Sequence, residues 1–206
     1  MILLIASIAG YLIGSIPTAY VFGKIYKGID IREHGSGNVG ATNVFRVLGK
    51  GPGVVVLLID IFKGFIVVTL AADLFHTTEI FERIILAVCV VGGHNWTVFL
   101  QFKGGKGIAT SFGVLIGLTL KIAVIRPVLL WVITTWIICF LITRFVSLSS
   151  ILAAIALPIV MLLTNQSFEL VCLGILFCLF VVVRHRPNIK RLLSGQEHRV
   201  SFLKKR

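Results

Sequence analysis

Between positions 107 and 183 the only charged residues are Lys121, Arg126, Arg144 and Glu169. Runs of this length with so little charge do not make the half-exposed elements of a water-soluble domain. Backbone buried in hydrocarbon must satisfy its own N–H and C=O groups, as a helix does within itself. Composition agrees: 57% of residues are hydrophobic and 14% charged, against a charged share of about 25% in soluble domains. The chain reads as an all-α polytopic membrane protein, one domain over 1–206, without room for a separate soluble catalytic domain.

Seven spans are expected, over 2–23, 53–74, 83–101, 107–125, 128–143, 148–164 and 168–183. Met1 leads straight into Leu and Ile, and the first cation, Lys24, comes after the apolar run. That is the reverse of a secretory leader, so the first run is kept as a span with its N-terminus outside. Of the 20 Lys and Arg, Arg83, Lys121 and Arg126 then fall outside and Lys63 within a span. The other sixteen lie at cytoplasmic ends and loops, the bias that orients membrane proteins. Asp73, Glu79, Glu82 and Glu169 are placed on the opposite side, and the C-terminus is cytoplasmic.

The net charge of +12 is accounted for by this orientation and by anionic lipid, with Lys24, Lys27, Lys50, Arg144, Lys204, Lys205 and Arg206 as boundary anchors. Nucleic-acid binding would need a soluble basic face, which the sequence lacks. Cys89, Cys139, Cys172 and Cys178 sit in apolar runs without metal-like spacing and read as buried small hydrophobes. Gly10-xxx-Gly14 and Gly113-xxx-Gly117 read as close helix contacts.

Three glycine-rich basic stretches, all assigned to the cytoplasmic face, hold most of the polar chemistry. In the first, Gly35, Gly37 and Gly40 allow backbone N–H groups to converge, and Ser36, Asn38, Thr42 and Asn43 add neutral groups around Arg46, the ingredients of a phosphate nest. Gly35-x-Gly37-x-x-Gly40 with Asp60 matches the dinucleotide fingerprint in letters. Context removes that match, because no strand precedes Gly35 and Asp60 lies in an apolar run. Asp60 and Lys63, spaced i, i+3, are expected to pair on one helix face in a structural role, although ionisable groups at membrane depth are also functional candidates.

The second stretch places His94 and Asn95 at the end of the third span and Lys103-Gly104-Gly105-Lys106-Gly107 at the turn into the fourth. Lysines on a glycine turn that opens a helix attract anions through both charge and free N–H groups. A Walker A loop is excluded, since Gly107 stands where Ser or Thr is required. In the third stretch His185 and Asn188 share a face if the helix continues past Pro187. Residues 189–197 suggest a short surface helix, with Leu192 and Leu193 toward lipid and Lys190 and Arg191 toward water. Glu197 is expected to pair with a cation.

These stretches, GSGNVGATNVFRVLGK from Gly35, GGHNWTVFLQFKGGKG from Gly92 and RHRPNIKRLLSGQEHR from Arg184, resemble the three cytoplasmic motifs of the bacterial acyl-phosphate:glycerol-3-phosphate acyltransferase (PlsY) family. The likeness extends over the whole chain in length, span number and motif order. It implies transfer of a fatty acyl group from acyl phosphate to the 1-hydroxyl of sn-glycerol 3-phosphate, giving lysophosphatidic acid and inorganic phosphate at the first acylation of phospholipid synthesis. It implies a bacterial inner-membrane protein with a cytoplasmic site, lipid as its surroundings, and no cofactor or metal, functional as a monomer. Carried over by motif, Ser36, Arg46, Lys106, His185 and Asn188 are catalytic. Gly35, Gly37, Asn38, Gly40, Thr42, Asn43, His94, Asn95, Lys103, Gly104, Gly105 and Gly107 bind substrate, with Gly104, Gly105 and Gly107 assigned to glycerol 3-phosphate. Thr97 departs from the commoner proline, with no expected effect on the chemistry.

An acyl phosphate is an activated mixed anhydride, so orientation and charge neutralisation can carry most of the catalysis. No histidine has an Asp five residues on, as the HxxxxD pattern of soluble-type acyltransferases requires, and no nucleophile triad presents itself. Direct attack by the glycerol hydroxyl is expected, the proton passing to a phosphate oxygen or to His185. A transporter of an organic phosphate is the alternative. Against it stand the short chain, the lack of an internal repeat and polar groups gathered at one face instead of the midplane.

Overall fold

The computed structural model describes residues 1–77 and 79–200. Lys204, Lys205 and Arg206, expected as anchors, lie outside the described residues. Every regular element among the described residues is helical. Packing divides the chain into two compact units, Met1–Lys121 and Ile122–Arg206.

The first unit contains α1 (Ile2–Ser15), α2 (Thr18–Lys27), α3 (Ala41–Val47), α4 (Lys50–Ile66), a π turn (Val67–Ala71) running into α5 (Ala72–Leu74), α6 (Ile80–Asn95) and α7 (Ile108–Lys121). The second contains α8 (Arg126–Thr143), α9 (Val146–Leu163), α10 (Phe168–Arg184) and α11 (Arg186–Leu193). Among the described residues, five stretches are each long and apolar enough to cross a bilayer: Ile2–Lys27, Lys50–Leu74, Ile80–Leu100, Ala123–Thr143 and Val146–Leu163. Phe168–Arg184 with Arg186–Leu193, bent by 61°, makes a sixth if the pair is one span. The seventh apolar run is α7, whose 14 residues reach only about 21 Å at 1.5 Å per residue, short of the roughly 30 Å hydrocarbon core.

Local chemistry explains the breaks. Pro17 disfavours helical geometry in the residue before it, and Ile16 is extended at φ −55°, ψ 113°. Gly28, at φ +66°, ends α2 in the left-handed conformation that glycine adopts without a Cβ clash. Glu79 and Glu82 form a capping box that starts α6.

Close approach of α1 to α6 and of α4 to α7 depends on small residues. A methyl on Gly14 would run into the Val90 carbonyl, and one on Gly93 into the Tyr11 carbonyl. Gly113 lies equally tight on the Ile61 carbonyl, and Gly64 on that of Thr110. Both glycine pairs singled out in the sequence are thus at helix contacts, since packing rather than water exclusion drives association in lipid. Within the second unit α9 packs against α8 and α10, and Trp136 Nε1 donates to Ser150 Oγ at 3.2 Å. Among the cysteines, Cys139 is buried while Cys172 is exposed on α10. An apolar helix face presented to lipid accommodates a thiol as readily as a core does, so the expectation of burial fails there.

Candidate functional site

The first glycine-rich stretch is a loop folded back on α3. Gly35 and Gly37 have φ of +62° and +69°, and a side chain on Gly37 would meet the Arg32 carbonyl 2.9 Å away. Beneath the loop Asn43 is 1% exposed. Its Oδ1 accepts from the Ser36 N–H at 2.8 Å, and its Nδ2 donates to the carbonyls of Ile31 (3.2 Å) and His34 (3.0 Å). A buried amide with both ends occupied fixes the loop. Ser36 and Arg46 are exposed, and Asn38 and Thr42 are half-buried. Alongside, Arg32 pairs with Asp30 at 2.6 Å, and its side-chain hydrogen bonds hold the Asp30 carboxyl down to about 2. Val39, Ala41 and Val44 anchor the loop in a core cluster with Ala19, Val56 and Leu100.

The second stretch doubles back along the end of α6. The Gly105 N–H donates to the His94 carbonyl at 2.9 Å and the Gly104 N–H to the Asn95 carbonyl at 3.2 Å. Glycine is required here because a side chain on Gly104 would collide with the His94 carbonyl and one on Gly105 with His94 Nε2. Gly107, at φ +75°, packs on Asn95, whose Oδ1 lies 2.7 Å from where a Cβ would be. Two of the turn amides are therefore spent on α6, and the donors left to meet an anion are those at the head of α7, whose first-turn N–H groups have no helical partner. Lys106 is half-buried and Lys103 exposed, while His94 and Asn95 are buried under the turn. Gln101 and Phe102, both exposed, carry positive φ of 53° and 60°, and such left-handed non-glycine residues cluster where backbone geometry serves a function.

Asp60 and Lys63 do pair, at 2.9 Å, and the pair belongs to a larger network. Asp60 Oδ1 also accepts from Thr18 Oγ1 at 3.1 Å and faces His94 Nδ1 at 3.7 Å. Lys63 Nζ donates to the Ile16 carbonyl at 3.3 Å.

In the second unit His185 stands at the bend between α10 and α11. The Ile189 N–H bonds to the His185 carbonyl at 2.9 Å, so helical register survives Pro187, and His185 and Asn188 are both buried. His185 Nδ1 lies 2.8 Å from the Val181 carbonyl. A carbonyl only accepts, so Nδ1 is the donor, and the neutral ring carries its lone pair on Nε2. Glu197 gathers Asn188 Nδ2 (2.7 Å), Ser147 Oγ (2.9 Å) and Arg191 Nε (2.7 Å). Burial pushes its carboxyl up, but the bonds from Asn188, Arg191 and Ser147 outweigh it and leave the group below the usual carboxylate range. The cation expected for Glu197 is Arg191. That corrects the outward placement of Arg191 on the surface helix, because a buried carboxylate draws it in. Leu193 is 85% exposed and Leu192 half-buried.

Some functional geometry was absent from the sequence reading. Thr97 donates to the Ser15 carbonyl at 2.5 Å, and Thr18 joins Asp60. Arg83 donates to Val68 O in the π turn at 2.5 Å and to Asp73 at 2.6 Å, and Asp73 also takes Lys121 at 2.6 Å. The signal for Thr97 and Thr18 was Pro17, whose break exposes carbonyls that need donors.

The fold and these turns define a helical membrane protein that carries its polar chemistry on glycine-rich turns at helix ends instead of in a soluble domain. A family model described as glycerol-3-phosphate acyltransferase matches residues 4–195. The glycerol-3-phosphate acyltransferase of Gloeobacter violaceus is 44% identical over 194 residues, covering 93% of this chain and 92% of the relative. That of Desulforamulus reducens is 44% identical over 193 residues, covering 94% and 92%. Among solved structures, PlsY (YgiH), an integral membrane glycerol 3-phosphate acyltransferase, in its glycerol 3-phosphate form superposes with a TM-score of 0.87 at 39% identity, over 97% of this chain and 96% of that one. Its lysophosphatidic acid form gives 0.84 at the same identity, over 97% and 95%. The chain belongs to the glycerol-3-phosphate acyltransferase family. It is an integral membrane acyltransferase, and the transporter reading falls away.

Proposed function

We propose that the protein transfers a fatty acyl group from acyl phosphate directly to the 1-hydroxyl of sn-glycerol 3-phosphate, at the cytoplasmic face of a bacterial inner membrane and as a monomer. The observation that carries this reading is the Gly104–Gly107 turn, braced on α6 and leading into the head of α7; a lysine within such a turn and the first amides of the helix that follows are groups that neutralise a phosphate dianion. The distribution of Lys and Arg supports the orientation.

The hydroxyl oxygen attacks the acyl carbonyl carbon, the bond from that carbon to the phosphate oxygen breaks, and inorganic phosphate leaves with the electron pair. A phosphate oxygen of the donor takes the hydroxyl proton, with Nε2 of His185 as the other candidate. Lys106 neutralises the acceptor phosphate. Ser36 on the first loop and Arg46 on α3, both exposed, bind phosphate in the same reaction, and Asn188, held by Glu197, acts with His185. Preorganised donors of this kind each contribute about a hundredfold or more to turnover.

Purified protein in detergent, given palmitoyl phosphate, should release inorganic phosphate only when glycerol 3-phosphate is also present. Release without the acceptor would identify a phosphatase and sink the proposal. Radiolabelled acyl groups remaining on the denatured protein would refute direct transfer. His185→Gln with turnover intact assigns the proton to the phosphate oxygen.

A further inference from the structure

The Asp60 network is centred on the apolar Lys50–Leu74 stretch, yet it reaches the second glycine-rich turn through one side chain. Asp60 is 1% exposed, Lys63 and Thr18 are 5% exposed and His94 is 8% exposed. Two donors hold the carboxylate: Lys63 at 2.9 Å, one helical turn along α4, and Thr18 at 3.1 Å, at the start of α2. Lys63 is itself fixed by the Ile16 carbonyl that Pro17 releases. The carboxylate is thus immobile, and it faces His94 Nδ1 at 3.7 Å. A buried carboxylate at this separation acts strongly on the polar edge of the ring, because little water screens it.

The other edge of the imidazole meets the turn. Nε2 abuts Gly105 so closely that no side chain fits there, and the His94 carbonyl receives the Gly105 N–H. Ring and turn are in van der Waals contact with no slack, so a rotation of the ring displaces Gly104 and Gly105 and the head of α7 that follows. The cavity beside them, lined by Ser15, Thr18, Val39, His94, Gly104 and Gly105 among others, measures about 10 Å³. That is room for one water at most, so a glycerol phosphate does not reach the imidazole there.

We infer that Asp60 is a positioning residue for the acceptor: through His94 it fixes the Gly104–Gly105 turn, and with it Lys106, in the geometry that binds the phosphate of glycerol 3-phosphate. The inference rests on the assignment of that turn to glycerol 3-phosphate. Lys63 neutralises the carboxylate within the bilayer, and Thr18 orients it.

Steady-state kinetics on the purified protein, varying glycerol 3-phosphate and palmitoyl phosphate separately, test the inference. Asp60→Asn with Lys63→Met keeps the span neutral, and His94→Gln removes the imidazole. Each should raise KM for glycerol 3-phosphate about tenfold while KM for palmitoyl phosphate stays within about twofold, and the three substitutions together should be no worse than His94→Gln alone, the coupling expected of residues acting through one contact. Equal shifts for both substrates, multiplying effects or an unchanged KM would overturn it. If the charge variants do not fold, Thr18→Val takes their place and should raise KM for glycerol 3-phosphate alone by about twofold, the effect of one modest hydrogen bond; no rise overturns the inference. Lys106→Ala separates the two readings. An unchanged KM for glycerol 3-phosphate in that variant removes the assignment of the turn, whereas a raised KM there beside an unchanged one in the Asp60 and His94 variants removes only the positioning role.

Discussion

Thr97 Oγ1 donates to the Ser15 carbonyl at 2.5 Å, which ties the end of α6 to the break in the first helical run. The same hydroxyl accepts the Phe99 N–H at 3.2 Å, so it satisfies one group on each side. Thr97→Val should lower stability by about 1–2 kcal/mol, because it leaves a buried carbonyl without its donor. Thr97→Pro should cost less. Thr97 has φ −69°, which proline adopts unstrained, and the preceding Trp96 is already non-helical at ψ 65°. A stiffer unfolded chain recovers roughly 0.4–1 kcal/mol. Thermal unfolding in detergent checks the order of the two variants, and Thr97→Pro falling below Thr97→Val would contradict this account.

Glycines at helix contacts and glycines facing outward should respond in opposite ways to a single methyl. Gly14→Ala forces a Cβ into the Val90 backbone, which cannot yield as a side-chain tip does, and overpacking of this kind costs about 1–3 kcal/mol. Gly92, in the last turn of α6, has no atom beyond its own helix backbone and chain neighbours within 4 Å of an added Cβ. Gly92→Ala should be neutral or stabilising by up to about 1 kcal/mol, from helix propensity. Unfolding midpoints of the two variants, measured side by side, decide it.

On the first loop, Asn43→Ala should lower turnover although Asn43 is buried away from solvent. Its amide holds Ser36 N–H and two carbonyls, so truncation leaves three groups unsatisfied at about 1–3 kcal/mol for the worst of them. Asn43→Asp should be the more informative change: it keeps the acceptor for Ser36 but sets oxygen against the carbonyls of Ile31 and His34. Activity assays with loop proteolysis as the readout of order should show both variants impaired. Wild-type turnover and resistance in Asn43→Asp would show that the loop is held by other means.

What the sequence made legible follows from range. Hydropathy is a local property, and each apolar run became helix, although Pro17 breaks the first and the fourth is too short to span. Asp60 with Lys63 was legible because i, i+3 spacing puts both on one helix face. His94 and Thr18 belong to the same network but come from other helices, and nothing in the intervening residues announces that meeting. Asp73 with Arg83 and Lys121 is hidden for the same reason. The glycine-rich turns were visible as composition, but the division of labour inside them was not. Which amides are spent on α6 and which remain at the head of α7 depends on how the turn folds back, a tertiary fact. Thr97 was set aside as chemically neutral, and only the broken helix beside it explains what its hydroxyl does.

Glu197 makes the fold pH-sensitive in a definite direction. Its carboxyl is held below the usual carboxylate range in the folded chain, burial being outweighed by the bonds from Asn188, Arg191 and Ser147. A carboxyl whose folded pKa is depressed contributes stability that is fully present above its unfolded value, about 4.3, and is lost as pH falls through the folded value. Thermal midpoints should therefore be flat near neutrality and fall below about pH 4.3. Glu197→Gln removes this titration and leaves Arg191 without its counter-charge, so the variant should be less stable at pH 7 and the difference from wild type should shrink toward pH 3. Because Asn188 loses its charged partner in the same variant, turnover should fall at neutral pH as well. A Glu197→Gln protein whose midpoint runs parallel to wild type at every pH would show that the carboxylate network contributes nothing to stability.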